Sequence, residues 1–201
     1  MFSPQSKILA NADYVSEYLV NEYAPPILVE VDPSNTCNHG CHFCISSYIH
    51  LKESKNLPTY NKSIMSEDML LRLSRDMIDL RVKAINWTGG GEPTVNPALK
   101  NAIELIGKDS NIKMGMFTNG TLLDKFNLFE TIVDNLTWIR FSVDAGTKET
   151  YNSIRRPNGN YGWDKMVSNL KKLIEYNQNK IDIGVGFVIT PDTYNEIVPF
   201  A

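Results

Sequence analysis

The sequence predicts an α/β fold: a parallel sheet that curls toward a partial (β/α) barrel. Three observations carry this. Short apolar runs rich in β-branched residues alternate five times with longer amphipathic stretches, the pattern of strands joined by crossover helices. Each run ends in a polar or glycine-rich motif, and the C-terminal strand edge is where parallel α/β folds build their sites. The chain has 201 residues, 42% hydrophobic and 21% charged, which suits one domain with a sizeable core. Right-handed crossovers wind such strands in one direction, and a flat doubly wound sheet is the structural alternative.

The elements follow in order. Asn11 to Tyr23 reads as a helix that stops before Pro25-Pro26. Ile27 to Val31 is the first strand. Ser66 caps a helix whose first turn carries Glu67 and Asp68, with Met69, Leu70, Leu73, Met77 and Leu80 as its apolar face. Ala84 to Thr88 is the second strand, followed by a helix from Pro97 to Lys108. Lys113 to Phe117 is the third, followed by a largely helical stretch from Leu122 to Asn135. Trp138 to Val143 is the fourth, followed by helices at Lys148 to Arg155 and Trp163 to Gln178. Ile181 to Ile189 is the fifth, ended by Pro191. Residues 1–26 form an N-terminal helical extension and 27–201 the core. The segment from Ile45 to Met65, with Tyr48, His50, Lys52, Lys55, Tyr60 and Lys62, is the longest irregular stretch, a length associated with function or mobility. Trp87, Trp138, Trp163, Met69 and Met77 are assigned to the core.

Composition excludes several classes. Lys plus Arg number 20 and Asp plus Glu 23, for a net charge of -3, so there is no electrostatic footprint for nucleic acid or an anionic membrane. No apolar run approaches the roughly 18 residues of a membrane span, and Met1 to Ala10 does not read as a secretory signal. The expected location is cytoplasmic. The three cysteines are odd in number and clustered, which argues for a metal site over a disulfide framework.

Those cysteines define the sharpest motif, Cys37-Asn38-His39-Gly40-Cys41-His42-Phe43-Cys44, with spacing C-x3-C-x2-C. Three thiolates on one tight loop suit three corners of an iron–sulfur cubane and leave one iron open. Zinc held by the cysteines with His39 or His42 is the rival reading. Thr88-Gly89-Gly90-Gly91-Glu92-Pro93 ends the second strand, where bare glycines admit a ligand close to the backbone. Thr118-Asn119-Gly120 ends the third. Phe141-Ser142-Val143-Asp144 ends the fourth, and strand alternation places Ser142 and Asp144 on one face, toward a barrel mouth.

The cysteine loop, with aromatic Phe43 before its last cysteine, resembles the motif of the radical S-adenosylmethionine superfamily. The motifs together are most similar to its molybdenum-cofactor and peptide-maturase branch. The resemblance covers residues 27 to about 191 of the chain. It implies a 4Fe–4S cluster on Cys37, Cys41 and Cys44, whose open iron is chelated by S-adenosylmethionine. It implies reductive cleavage to a 5′-deoxyadenosyl radical that abstracts hydrogen from a substrate. Phe43, Gly89, Gly90, Gly91, Glu92, Asn119, Ser142, Asp144 and Arg155 would then hold S-adenosylmethionine. In that set the glycine turn meets the methionine amino group, and Arg155 clamps the carboxylate, with adjacent Arg156 as the alternative. Gly186 to Ile189 would pack the adenine. A small-molecule or peptide substrate and an electron donor such as a flavodoxin or ferredoxin are the implied partners.

The family barrel has six strand–helix units and five are counted here. The apolar terminus Ile197-Val198-Pro199-Phe200-Ala201 leads to the expectation that a C-terminal unit is missing. No cysteine follows Cys44, so no auxiliary cluster on this chain's own cysteines is expected. A zinc-stabilised binding module and an inactive barrel scaffold acting through a partner are the readings from other classes.

Overall fold

Five parallel strands pair strictly in sequence order, β1-β2-β3-β4-β5. They are β1 (Leu28–Val31), β2 (Ala84–Trp87), β3 (Lys113–Thr118), β4 (Trp138–Ser142) and β5 (Asp182–Gly186). The helices are α1 (Ala12–Asn21), α2 (Glu67–Asp79), α3 (Leu99–Asp109), α4 (Phe129–Asn135), α5 (Lys148–Arg155), α6 (Trp163–Asn177) and α7 (Ile197–Phe200), with 3-10 turns at Pro93–Val95 and Tyr194–Glu196. The computed structural model describes residues 9–46, 62–109 and 111–201. Tyr48, His50, Lys52, Lys55 and Tyr60 lie outside the described residues. No helix among the described residues is long and apolar enough to cross a membrane.

Sequential order decides between the two sheet architectures. A doubly wound sheet reverses direction partway, whereas an unreversed order with right-handed crossovers brings every crossover helix to one face. The core has this arrangement. Val31, Ile85, Trp87, Met114, Met116, Ile139 and Phe141 alternate onto one side of the strands and pack in a single cluster with residues of α2 to α6. The flat doubly wound alternative is thereby overturned. The other face carries Glu30, Asn86, Phe117, Trp138, Arg140 and Ser142 by the same alternation.

Several boundaries move. Only Phe129–Asn135 of the stretch after β3 is helical, because Asn127 adopts a left-handed φ of 51°. The helix expected from Pro97 starts at Leu99, since Asn96 Oδ1 accepts the Ala98 amide at 2.9 Å. The fifth strand ends at Gly186, not Ile189, where the Val188 amide turns to Asp144 Oδ1 at 2.8 Å. Ser66 caps α2 by accepting the Met69 amide at 3.3 Å, but Met69 and Leu80 are exposed, and the buried stripe is Leu70, Ser74 and Met77. Trp87 is core. Trp138 instead packs edge-on to Phe117, 4.9 Å between centroids, on the helix-free face.

Candidate cofactor site

The cysteine loop leaves the end of β1 and docks onto the C-terminus of α5. The Gly40 amide reaches the carbonyls of Arg155 and Arg156 at 3.2 and 3.0 Å, and the His42 amide reaches that of Ile154 at 3.1 Å. A helix end leaves its last carbonyls unpaired, and here loop amides satisfy them. A second anchor is polar: Asn119 Nδ2 donates to Asn38 Oδ1 at 2.8 Å, and Asn38 Nδ2 donates to Thr121 Oγ1 at 2.8 Å. The loop is therefore fixed to the ends of both β3 and α5. Nothing in the spacing of Asn38 or Thr121 announced this.

None of the three cysteines is in a disulfide, and all three line two adjoining cavities. The outer, about 450 Å³, adds Gly89, Gly90, Gly91, His42 and Arg156. The inner, about 220 Å³, adds Phe43, Glu92, Asn119, Ser142 and Arg155. Burial pushes the Cys37 thiol up to about 12, with the Glu92 charge adding to it, and burial likewise raises Cys41. A coordinated metal reverses this preference by deprotonating its thiols. Among the described residues no three His, Cys, Asp or Glu side chains converge to hold a single metal ion. His39 is buried, donates from Nε2 to the Tyr161 carbonyl at 2.9 Å, and is lowered to about 4 by burial and by Arg155. His42 pairs with Asp192 at 3.3 Å. The donor set fits a cluster on three thiolates better than a four-ligand zinc.

The sequence-predicted cofactor residues divide into two groups. The glycine turn, Phe43 and Ser142 face the cavities. Glu92 lies beside them, but its carboxylate is engaged by the protein: Oε1 accepts the Thr94 amide at 3.1 Å and the Thr118 hydroxyl at 2.6 Å, and Oε2 accepts the Asn119 amide at 2.7 Å. It ties the end of β2 to the end of β3. Asn119 Oδ1 accepts the Thr121 amide at 3.0 Å. Asp144 lines neither cavity. Its φ of 64° breaks the strand alternation after Ser142 and turns the carboxylate inward, where Oδ2 lies 3.0 Å from Arg155 Nη1. Burial raises the Asp144 carboxyl against the pull of Arg155. Arg155 also donates from Nη2 to the Ser142 carbonyl, leaving Nε without a partner among the described residues. Arg156 is exposed at the outer cavity, with a left-handed φ of 45°. Past β5, Phe187 packs edge-on to Phe200, 4.8 Å between centroids.

Known proteins resemble this chain in sequence and in fold. The family model described as the Radical SAM superfamily matches residues 31–201. A Brachyspira hyodysenteriae protein named GTPase Obg is 29% identical over 145 residues, covering 71% of this chain and 20% of the relative. A GTP 3′,8-cyclase of Clostridium perfringens is 25% identical over 166 residues, covering 82% of this chain and 47% of the relative. The chain thus spans less than half the length of either. The structure of Streptococcus suis SuiB bound to precursor peptide SuiA superposes with a TM-score of 0.65 at 17% identity, covering 99% of this chain and 41% of SuiB. The chain belongs to the radical SAM superfamily, whose cofactors are a 4Fe–4S cluster and S-adenosylmethionine, and it resembles the molybdenum-cofactor branch.

Proposed function

We propose that this chain is the cofactor-binding core of a radical SAM enzyme, with Cys37, Cys41 and Cys44 as the cluster ligands. One observation carries the reading: the three cysteines line the cavity that the Gly89–Gly91 turn also lines. A 4Fe–4S cluster held by Cys37, Cys41 and Cys44 would supply the electron for reductive cleavage of S-adenosylmethionine, and with it hydrogen-abstraction chemistry on a substrate. The protein's own residues hold and shield these groups. Gly89 to Gly91 receive the methionine moiety along bare backbone, and Phe43 and Ser142 border it inside. Glu92 and Asn119 act by fixing the strand ends. Arg155 supplies positive charge at the inner wall while held by Asp144 and the Ser142 carbonyl.

The substrate is a small molecule or a peptide, classes represented by the named relatives, and the electron comes from a donor such as a flavodoxin or ferredoxin. Cysteines outside any disulfide suit a reducing compartment, so the reading includes a cytoplasmic location. Residues 1–26 are read as an extension to a core at 27–201. Anaerobic reconstitution with iron and sulfide tests the function. About four irons, an electron paramagnetic resonance signal shifted by S-adenosylmethionine, and 5′-deoxyadenosine formed with dithionite are expected. Bound zinc with no cluster, or a cluster indifferent to S-adenosylmethionine, would overturn it.

A further inference from the structure

The sheet face turned away from the helices carries a cation that the cofactor site does not use. Arg140 lies in β4 two residues before Ser142, and strand alternation places both on this face. Its guanidinium carbon stands 4.4 Å from the ring centroid of Phe117, its register partner on β3. Phe117 in turn lines the inner cavity. A guanidinium stacked on an aromatic face keeps its N–H edge free for a planar or tetrahedral anion. Among the described residues, the Arg140 side chain has neither an ion-pair partner nor a hydrogen bond. Its acidic neighbour Asp144 is already engaged by Arg155 at 3.0 Å and the Val188 amide at 2.8 Å.

The strand beside Arg140 leaves room for the arginine side chain. Gly184 pairs with Arg140 and Gly186 with Ser142. Glycine weakens a strand interior, and its presence there often marks close approach by a ligand. Neither glycine has positive φ, so backbone conformation does not demand it. A Cβ at Gly184 would lie 3.8 Å from Arg140 Cγ, and one at Gly186 would lie 3.3 Å from Nε. The Arg140 side chain therefore lies along the bare backbone of the two glycines.

We propose that Arg140, laid on Phe117 and along the bare backbone of Gly184 and Gly186, is a specificity-determining residue that binds a carboxylate or phosphate group of the substrate. The assignment to substrate rests on the radical SAM reading, which places the substrate on this face. S-adenosylmethionine also carries a carboxylate, so the experiment separates the two sources.

The probes are phenyl phosphate and benzoate, with neutral benzamide as control, titrated calorimetrically into the reconstituted chain. Wild type is expected to bind the anions. Arg140→Gln should weaken them about tenfold or more, the scale of a charge-assisted hydrogen bond. Arg140→Lys should fall between, and Gly184→Val should weaken the anions by displacing the Arg140 side chain with the charge intact. Benzamide and S-adenosylmethionine affinities should stay within about twofold in Arg140→Gln. Absence of anion binding in wild type, or equal binding in Arg140→Gln, overturns the proposal. A matching loss of S-adenosylmethionine affinity also overturns it, because the guanidinium then serves the cofactor. A wild-type chain that takes up no cluster sinks the proposed function separately, while the anion titration still reads Arg140.

Discussion

Gly91 has no room for a methyl group and Gly90 does. A Cβ at Gly91 would stand 2.3 Å from the Thr36 carbonyl oxygen, whereas at Gly90 the nearest atom is Ser46 Oγ at 3.6 Å. The Glu92 amide donates to that same Thr36 carbonyl at 3.0 Å, so the turn is packed against the backbone leaving β1. Gly91→Ala should therefore lower stability by roughly 1–3 kcal/mol, the usual result of overpacking. Gly90→Ala should leave stability within about 0.5 kcal/mol and weaken S-adenosylmethionine binding, because its new methyl projects where the cofactor approaches. Thermal melts and cofactor titrations of the two variants check this; unchanged affinity in Gly90→Ala would remove Gly90 from the contact set. In the sequence the three glycines are indistinguishable. What separates them is the approach of residues 35 and 36, a tertiary fact with no local signal. Glu92 is similar: its position beside the glycines is legible, but its acceptors face Thr94, Thr118 and Asn119, which only strand pairing brings together.

The elements differ in how firmly they are held, and the sequence shows this unevenly. Lys148–Arg155 is legible in full because Thr147 caps it, accepting the Thr150 amide at 3.4 Å, and the positive φ of Arg156 stops it. The short turns at Pro93–Val95 and Tyr194–Glu196 are not legible, since three residues carry no periodicity. Helix α1 buries no residue and is tied down at the surface by Glu17 to Arg81 at 2.8 Å and Asp13 to Lys83 at 2.9 Å. Exposed ion pairs contribute little. Deleting residues 1–23 should keep cluster and cofactor binding and lower Tm by about 5 °C or less; loss of cluster binding would show α1 to be part of the core. The 3-10 turn ending in Glu196 is clamped more tightly to the start of α5. Glu196 Oε2 accepts the Gly146 and Thr147 amides at 2.8 and 3.1 Å, and Oε1 accepts the Thr147 hydroxyl at 2.8 Å and the Thr150 hydroxyl. Burial alone would raise this carboxyl, but the hydrogen bonds from Thr150, Thr147 and the two amides outweigh it and lower it below the ordinary glutamate value. A carboxyl lowered on folding stabilises fully above its unfolded value, and the effect is lost as pH falls through the folded one. Hydrogen exchange at the Gly146 and Thr147 amides, corrected for intrinsic rate, should accelerate across that acidic window. Glu196→Gln should exchange fast at every pH, and identical profiles in both proteins would refute the clamp.

At the scale of the whole molecule, the sheet was legible because every strand ends in a motif, and its winding in one direction was expected from right-handed crossovers, with a doubly wound sheet left as the alternative. Both architectures satisfy the same alternation of strands and helices, and only the pairing β1-β2-β3-β4-β5 places all crossover helices on one face. That winding gathers the ends of four strands, together with α5, around the cysteine loop. A cluster on Cys37, Cys41 and Cys44 bridges one short loop, but a cofactor seated on it would span Gly89 to Gly91, Asn119, Ser142 and Arg155, which reach across the sheet. Binding to the native state alone stabilises by about 2.7 kcal/mol at a hundredfold excess over Kd. For a chain of this size that corresponds to a Tm increase of roughly 5–10 °C. Hydrogen exchange should locate the gain. Addition of S-adenosylmethionine to the reconstituted protein should slow exchange in residues 37–44, 88–92, 118–120 and 142–145 together, while α1 is unaffected, because those four segments form one rim. Protection confined to residues 37–44 would mean that the cofactor touches only the loop, and the remaining rim contacts would have to be withdrawn.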